Sequence, residues 1–430
     1  MTQQNEGVTT LVVEGGHAVA GVIEVEGNKN AALPLLAACL LTRGPCQLRN
    51  VPRISDVEVM VALLQSLGAV VEGVGSTTLD ISCENITSYE PDPVLVGRLR
   101  GSVLLFGPLL ARVGRARLAP PGGDFPARRT IASHLQALQA LGAHQVSQEP
   151  HEFETADELK GASFYLEEAS VTGTETAILA AAAAKGETEI RHAACEPHVV
   201  DLCQFLRSMG VSIEGDGTPT IRVSGGARLG GASAVLRGDY IEAGSWATLA
   251  AVTGGELEIR GVSGQELEPV TAILSKMNVN LTVEDERLMV GNSKLVGVRQ
   301  VSTAPWPGFP SDMVSLISVL ATQAEGRTLV HDWMYELRLF ALEQLSGMGG
   351  NLFLCDPHRM IVDGPSSLKG RDLDTRDLRS GMALIAAALA AKGVSRVSPL
   401  ETVERGYANV VERLKALGAQ VETESVGHDL

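Results

Sequence analysis

Six times along this chain an apolar, small-residue run ends at a glycine, a short alternating strand follows, and a polar-faced helix closes on a Leu-Gly-Ala-like corner. The glycines are Gly44, Gly114, Gly186, Gly255, Gly326 and Gly393, spaced by roughly seventy residues. The runs before them are Ala31 to Leu41, Val103 to Ala111, Ala177 to Ala184, Trp246 to Val252, Val314 to Ala321 and Met382 to Ala391. The corners include Leu67-Gly68-Ala69, Leu141-Gly142-Ala143, Met277-Asn278-Val279 and Leu417-Gly418-Ala419. A repeat carried through a whole chain constrains architecture before any single motif is weighed, because every copy must fold by the same rules.

A helix that is apolar nearly all round must be buried on every side. The second helix of each unit differs. In Ser55 to Leu67 the residues Val57, Met60, Leu63, Leu64 and Leu67 fall at helical spacing with polar residues between them. Ser55 and Asp56 are the expected N-cap and Gly68 the expected stop. Each unit therefore reads helix, strand, helix, strand. The fully apolar helix lies inside, and the sheets face outward. The period exceeds that of common solenoids, and six units exceed one comfortable core, so two closed α/β domains of three units each are expected.

The formal net charge is −16, a sign that repels nucleic acid and anionic membrane, and neither is expected as a partner. No apolar run has the length of a spanning helix, and no signal peptide is visible, so the cytoplasm is the expected compartment. The six cysteines and nine histidines show neither disulfide nor metal-site spacing, and there is no GxxxxGK[ST] loop. No metal or organic cofactor is implied. No stripe marks a dimer face.

The features that break the repeat are polar. Gly27-Asn28-Lys29-Asn30 opens the first buried helix, where free N–H groups and a lysine suit an anion, although an ordinary polar cap has the same composition. Residues 119–129, with three prolines, two glycines and Asp124, form the longest irregular loop of the first half and read as a lid or a solvated connector. Phe309-Pro310-Ser311-Asp312 precedes another buried helix. Arg100, Arg338, Arg379 and Arg405 lie near helix starts at related places in the repeat. Together with Lys29 and Arg129 they would converge on one rim, an arrangement suited to a small polyanion.

These residues resemble a known family. Gly27-Asn28-Lys29-Asn30-Ala31-Ala32-Leu33, Arg100-Gly101-Ser102, Pro121-Gly122-Gly123, Ser170-Val171-Thr172-Gly173-Thr174-Glu175-Thr176, Glu196-Pro197, Phe309-Pro310-Ser311-Asp312, Asp377-Leu378-Arg379 and Arg405-Gly406-Tyr407 are similar to the enolpyruvyl transferases over nearly the whole chain. The similarity is to the branch acting on UDP-N-acetylglucosamine. The Lys-Ser and Gly-Asn-Ala-Gly-Thr signatures of the shikimate branch are absent. The resemblance implies two inverse α/β barrels of three helix-strand units each, one spanning 29–238 with its lid at 119–129 and the other 1–28 with 239–430. The reacting groups would meet in the cleft between them.

The resemblance also implies a reaction: the enolpyruvyl group of phosphoenolpyruvate passes to the 3-hydroxyl of UDP-N-acetylglucosamine by addition and elimination, the first step of peptidoglycan synthesis. Lys29, Arg129 and Arg405 would grip the phosphate; Arg338, Arg379 and Arg405 the carboxylate; Arg100 both substrates' anions. Asp312 would be the base at the acceptor hydroxyl, and Asn30, Ser170, Val171, Thr172 and Met334 would contact the acceptor. Asp124, where most members carry cysteine, would protonate C3 and would leave the chain without the thiolate that fosfomycin alkylates. Three positions depart from the family. Thr130 and Ala132 replace a proline and an aspartate that hold uracil, and Glu168 replaces a lysine facing the diphosphate. Transfer to a different sugar or nucleotide, or a non-catalytic binding role, therefore remain alternatives.

Overall fold

The computed structural model describes residues 8–122 and 130–426. These fall into two compact units, one built from 8–26 and 238–426, the other from 27–122 and 130–237. No helix among the described residues is long and apolar enough to cross a membrane.

The six apolar runs become helices buried nearly throughout. In the 27–237 unit they are Lys29–Cys39, Phe106–Val113 (entered through a 3-10 turn, Arg100–Leu105) and Val171–Ala183. In the other unit they are Tyr240–Thr253, Val314–Gln323 and Leu378–Ala390, which pack pairwise on one another. Small residues allow this closeness: a Cβ on Gly107 would lie 2.9 Å from the Ala180 amide nitrogen of the neighbouring helix. Gly114 stops its helix in the left-handed conformation, at φ 71°, which side chains on Cβ disfavour.

Each unit carries three sheets. Those of the 27–237 unit run, in spatial order, 233–235, 46–49, 78–82, 70–72; then 115–118, 151–154, 144–148; then 212–214, 220–225, 186–191, 163–165. The other unit has 280–284, 287–291, 256–260, 20–24; then 300–302, 326–331, 359–364, 351–356; then 372–374, 393–398, 8–15, 420–426. In three of them a strand leads through a buried helix to a parallel neighbour: Ser163–Tyr165 to Gly186–Arg191, Gln300–Ser302 to Gly326–His331, and Asp372–Asp374 to Gly393–Ser398. Strand alternation sends apolar residues inward and charges outward, as in Glu256–Arg260, where Leu257 and Ile259 are buried. On the outer faces opposite charges sit directly across the ladder, Glu189 beside Arg222 and Arg327 beside Asp363.

The covering helices depart from expectation in two ways. The helix Ser55–Ser66 begins after Ile54 with no side-chain cap bond, because Asp56 is drawn instead into an ion pair with Lys29. In the fifth repeat the covering helix shrinks to the 3-10 turn Arg338–Glu343 and the short turn Gln344–Gly347; Leu337 enters it with left-handed backbone at φ 65°. That entry turns Arg338 and Leu339 into the interior. The cysteines are all free thiols. Cys39 donates to the Leu35 carbonyl at 3.3 Å, as a core residue does.

Candidate functional site

In the 27–237 unit the polar residues gather at the starts of the buried helices. Asn28 caps the first helix: its Oδ1 accepts from the amides of Asn30 (2.8 Å) and Ala31 (3.3 Å). Those two N–H groups are therefore occupied, as in an ordinary polar cap, the second of the two readings of this segment. Lys29 lies buried, with Nζ 2.7 Å from Asp56 Oδ2. The ion pair gives each of these two buried charges an opposite charge as partner.

Ser170 caps the third helix by accepting from the Gly173 amide at 3.2 Å, which places Val171 and Thr172 in its first turn. Thr172 Oγ1 is 2.9 Å from His134 Nε2. Burial, reinforced by the charge of Arg100, depresses the His134 imidazole to about 3, so the ring is neutral in the fold. Arg100 donates from Nη2 to the Thr130 carbonyl at 2.8 Å, and the Thr130 hydroxyl accepts from the Ala132 amide at 3.0 Å. Glu168 is exposed just before this turn. Glu175, one turn into the helix, is fully buried, and burial first, then the charge of Glu196, raises its pKa well above the carboxylate range.

The other unit holds a tighter cluster around Asp312, at the 3-10 turn Ser311–Met313. One oxygen, Oδ2, meets Arg379 Nε at 3.1 Å and Nη2 at 3.0 Å; the other, Oδ1, meets Arg338 Nη1 at 3.3 Å. Arg338 also donates to the Ser311 hydroxyl at 2.6 Å, and Arg379 to the Tyr407 hydroxyl at 3.1 Å. Tyr407 in turn is 2.8 Å from Ser245 Oγ. Asp377, the cap of the helix Leu378–Ala390, accepts from the Arg379 and Ser380 amides, each at 3.0 Å. Burial, the largest single influence, opposes charge on both guanidiniums, but the combined pull of Asp312 with Asp332 and Asp377 on Arg338, and of Asp312 with Tyr407 and Asp239 on Arg379, raises both pKa values above the ordinary arginine range. Asp312 keeps 28% of its side chain exposed, against 8% for Arg338 and 5% for Arg379. The carboxylate is thus the accessible member of a cationic cluster. Arg405 follows the short helix Leu400–Glu404, half-buried. Met334 has its amide 3.3 Å from Asp332 Oδ1.

The expected residues are therefore grouped by unit: Lys29, Asn30, Arg100, Ser170, Val171 and Thr172 in one, Asp312, Met334, Arg338, Arg379 and Arg405 in the other. Asp124 and Arg129 lie outside the described residues. The sequence assigned no site role to Asp56, His134 or Asp332, which carry charge or hydrogen bonds to the expected residues. No group of described histidine, cysteine, aspartate or glutamate residues is arranged to hold a metal ion.

A family model described as EPSP synthase (3-phosphoshikimate 1-carboxyvinyltransferase) matches residues 13–414. The chain belongs to this family of enolpyruvyl transferases. Within the family, the chain is 43% identical over 419 residues to a protein of Bradyrhizobium diazoefficiens named UDP-N-acetylglucosamine 1-carboxyvinyltransferase, covering 96% of this chain and 97% of that one. A protein of Treponema denticola with the same name is 42% identical over 419 residues, covering 96% and 98%. Among solved structures, the enolpyruvyl transferase NikO from Streptomyces tendae superposes with a TM-score of 0.87 at 25% identity, covering 98% of this chain and 100% of that one. EPSP synthase from Acinetobacter baumannii gives 0.77 at 21% identity, covering 97% and 100%, a likeness of fold. The two-domain α/β architecture is thus that of the enolpyruvyl transferases.

Proposed function

We propose that this enolpyruvyl transferase moves the enolpyruvyl group of phosphoenolpyruvate to the 3-hydroxyl of UDP-N-acetylglucosamine and releases phosphate, the first step of peptidoglycan synthesis. The observation that carries the reading is the Asp312 carboxylate held by Arg338 and Arg379, in a chain 43% identical over nearly its whole length to a relative named for that reaction.

Two buried guanidiniums around one reachable carboxylate suit a substrate that is itself a carboxylate. When phosphoenolpyruvate presents its carboxylate to Arg338 and Arg379, Asp312 loses part of the charge pairing that keeps it a weak base, and its affinity for a proton rises. The acceptor hydroxyl then adds through oxygen to C2 while its proton passes to Asp312 and C3 gains a proton from Asp124. In the second stage the C2–O bond to phosphate breaks, inorganic phosphate leaves with that oxygen, and C3 returns a proton to the Asp124 carboxylate, which restores the double bond as an enol ether. Lys29, Arg129 and Arg405 stabilise the phosphate as it leaves, and Arg100 holds the substrate anions. Ser170, Val171, Thr172, Asn30 and Met334 serve the acceptor.

A second reading, transfer to another sugar or nucleotide, is favoured by a specific observation. Glu168 is exposed beside the turn 170–172, where a carboxylate would repel a diphosphate by roughly a kcal/mol at close range. Phosphate release from phosphoenolpyruvate, measured against a panel of UDP-sugars and nucleotides, separates the two. Release that requires UDP-N-acetylglucosamine supports the first; release only with a different acceptor supports the second.

A further inference from the structure

Asp332 is fully buried, and nothing in the proposed chemistry uses it. It follows the strand Gly326–His331, and its backbone is fixed against His358: its amide donates to the His358 carbonyl at 2.8 Å, and its own carbonyl is 2.8 Å from His358 Nδ1. Its carboxylate is completely engaged. Oδ1 accepts from Thr303 Oγ1 at 2.9 Å and from the Met334 amide at 3.3 Å; Oδ2 accepts from Ser311 Oγ at 2.7 Å.

The serine has one proton to give. An ionised carboxylate can only accept, so that proton points to Asp332, and the serine oxygen is left with lone pairs alone for its other neighbour. That neighbour is Arg338 Nη1, at 2.6 Å. Without a carboxylate at 332 the hydroxyl is free to turn its proton toward the guanidinium, and the contact changes from attraction to repulsion. The buried charge on Arg338 also draws on Asp332 directly, as a second anion behind Asp312.

We infer that Asp332 is a positioning residue for Arg338, acting through the orientation of the Ser311 hydroxyl. It rests on the proposed function, in which Arg338 holds the carboxylate of phosphoenolpyruvate. The relay sets the angle of the guanidinium before substrate arrives, so its loss is read in affinity for phosphoenolpyruvate more than in turnover.

The test is a double-mutant cycle on the full chain: wild type, Asp332→Asn, Ser311→Ala and the double variant. Readouts are the Kd for phosphoenolpyruvate by titration calorimetry, with and without UDP-N-acetylglucosamine, and KM against kcat in phosphate release. Each single variant should weaken phosphoenolpyruvate about tenfold, and the double variant no more than the worse single. Ser311→Thr, which keeps the hydroxyl, should bind within about threefold of wild type. Folded variants that bind as wild type does, or losses that multiply in the double variant, overturn the relay. If Asp332→Asn does not fold, Ser311→Ala decides: unchanged binding overturns the proposal, and a loss restored by Ser311→Thr supports it. Wild-type protein that binds no phosphoenolpyruvate under either condition overturns the parent reading instead, and the relay with it.

Discussion

Arg379 grips the carboxylate of Asp312 through two nitrogens at once, Nε at 3.1 Å and Nη2 at 3.0 Å on the same oxygen. A guanidinium offers that fork and an ammonium does not. Arg379→Lys should therefore lower kcat/KM for phosphoenolpyruvate by about ten- to a hundredfold while changing the acceptor KM little. Steady-state kinetics with each substrate varied in turn checks this. An equal change in both KM values would contradict the assignment of Arg379 to the phosphoenolpyruvate carboxylate.

Asp312→Asn keeps the shape of the side chain and removes both its charge and its basicity. Turnover should fall by about a thousandfold or more. The acceptor should still bind, with calorimetry as the measure. A variant that retains a tenth of wild-type turnover would remove Asp312 from the role of base.

His134 makes acid stability predictable. The unfolded chain takes up a proton near 6.5, whereas burial and Arg100 delay uptake in the fold to about 3. This contribution is complete above pH 6.5 and is lost as pH falls toward 3. By pH 5 roughly 2 kcal/mol of it has been lost. His134→Gln should therefore show a flatter decline in urea-unfolding free energy between pH 7.5 and 5 than wild type, whatever its starting stability. Parallel curves would place the sensitivity elsewhere.

Asp124 predicts the response to an electrophile. An epoxide such as fosfomycin inactivates by ring opening at a thiolate, and a carboxylate at this position offers none. The unmodified protein should keep its activity through prolonged incubation with fosfomycin, and Asp124→Cys should lose it with time. Mass spectrometry of the adduct identifies the modified residue.

Glu168 can be converted into a test of the acceptor. Glu168→Lys replaces repulsion of a diphosphate by attraction and should lower the KM for a UDP-sugar by about five- to thirtyfold, more at low salt than at high. No change at low ionic strength would place the diphosphate away from this turn.

Much of this was legible in the residue order. The Ala-rich runs had to be buried because they lack a polar face, and the corner residues Gly68, Gly142, Gly418 and Asn278 mark turns that need left-handed backbone. The motif arginines were visible by their recurrence near helix starts at related places in the repeat, and Arg338 and Arg379 are buried there, where a charge must have a partner. What the sequence hid was the identity of those partners. Asp56 looked like a helix cap from its position before an apolar run, yet tertiary attraction to Lys29 wins over local capping. Asp332 stands in no motif, and only the distances to Thr303, Ser311 and Met334 reveal it as a centre of hydrogen bonding. The covering helix of the fifth repeat was misjudged because the left-handed backbone of Leu337 has no compositional mark.

The most direct measurement mixes the purified protein with phosphoenolpyruvate and UDP-N-acetylglucosamine, follows inorganic phosphate, and identifies the nucleotide product by mass spectrometry. The account predicts one phosphate released per enolpyruvyl ether formed, with both absent when the acceptor is omitted or Asp312 is replaced by asparagine. Phosphate release that does not depend on any acceptor, or none at all from folded protein with every UDP-sugar tried, would contradict it.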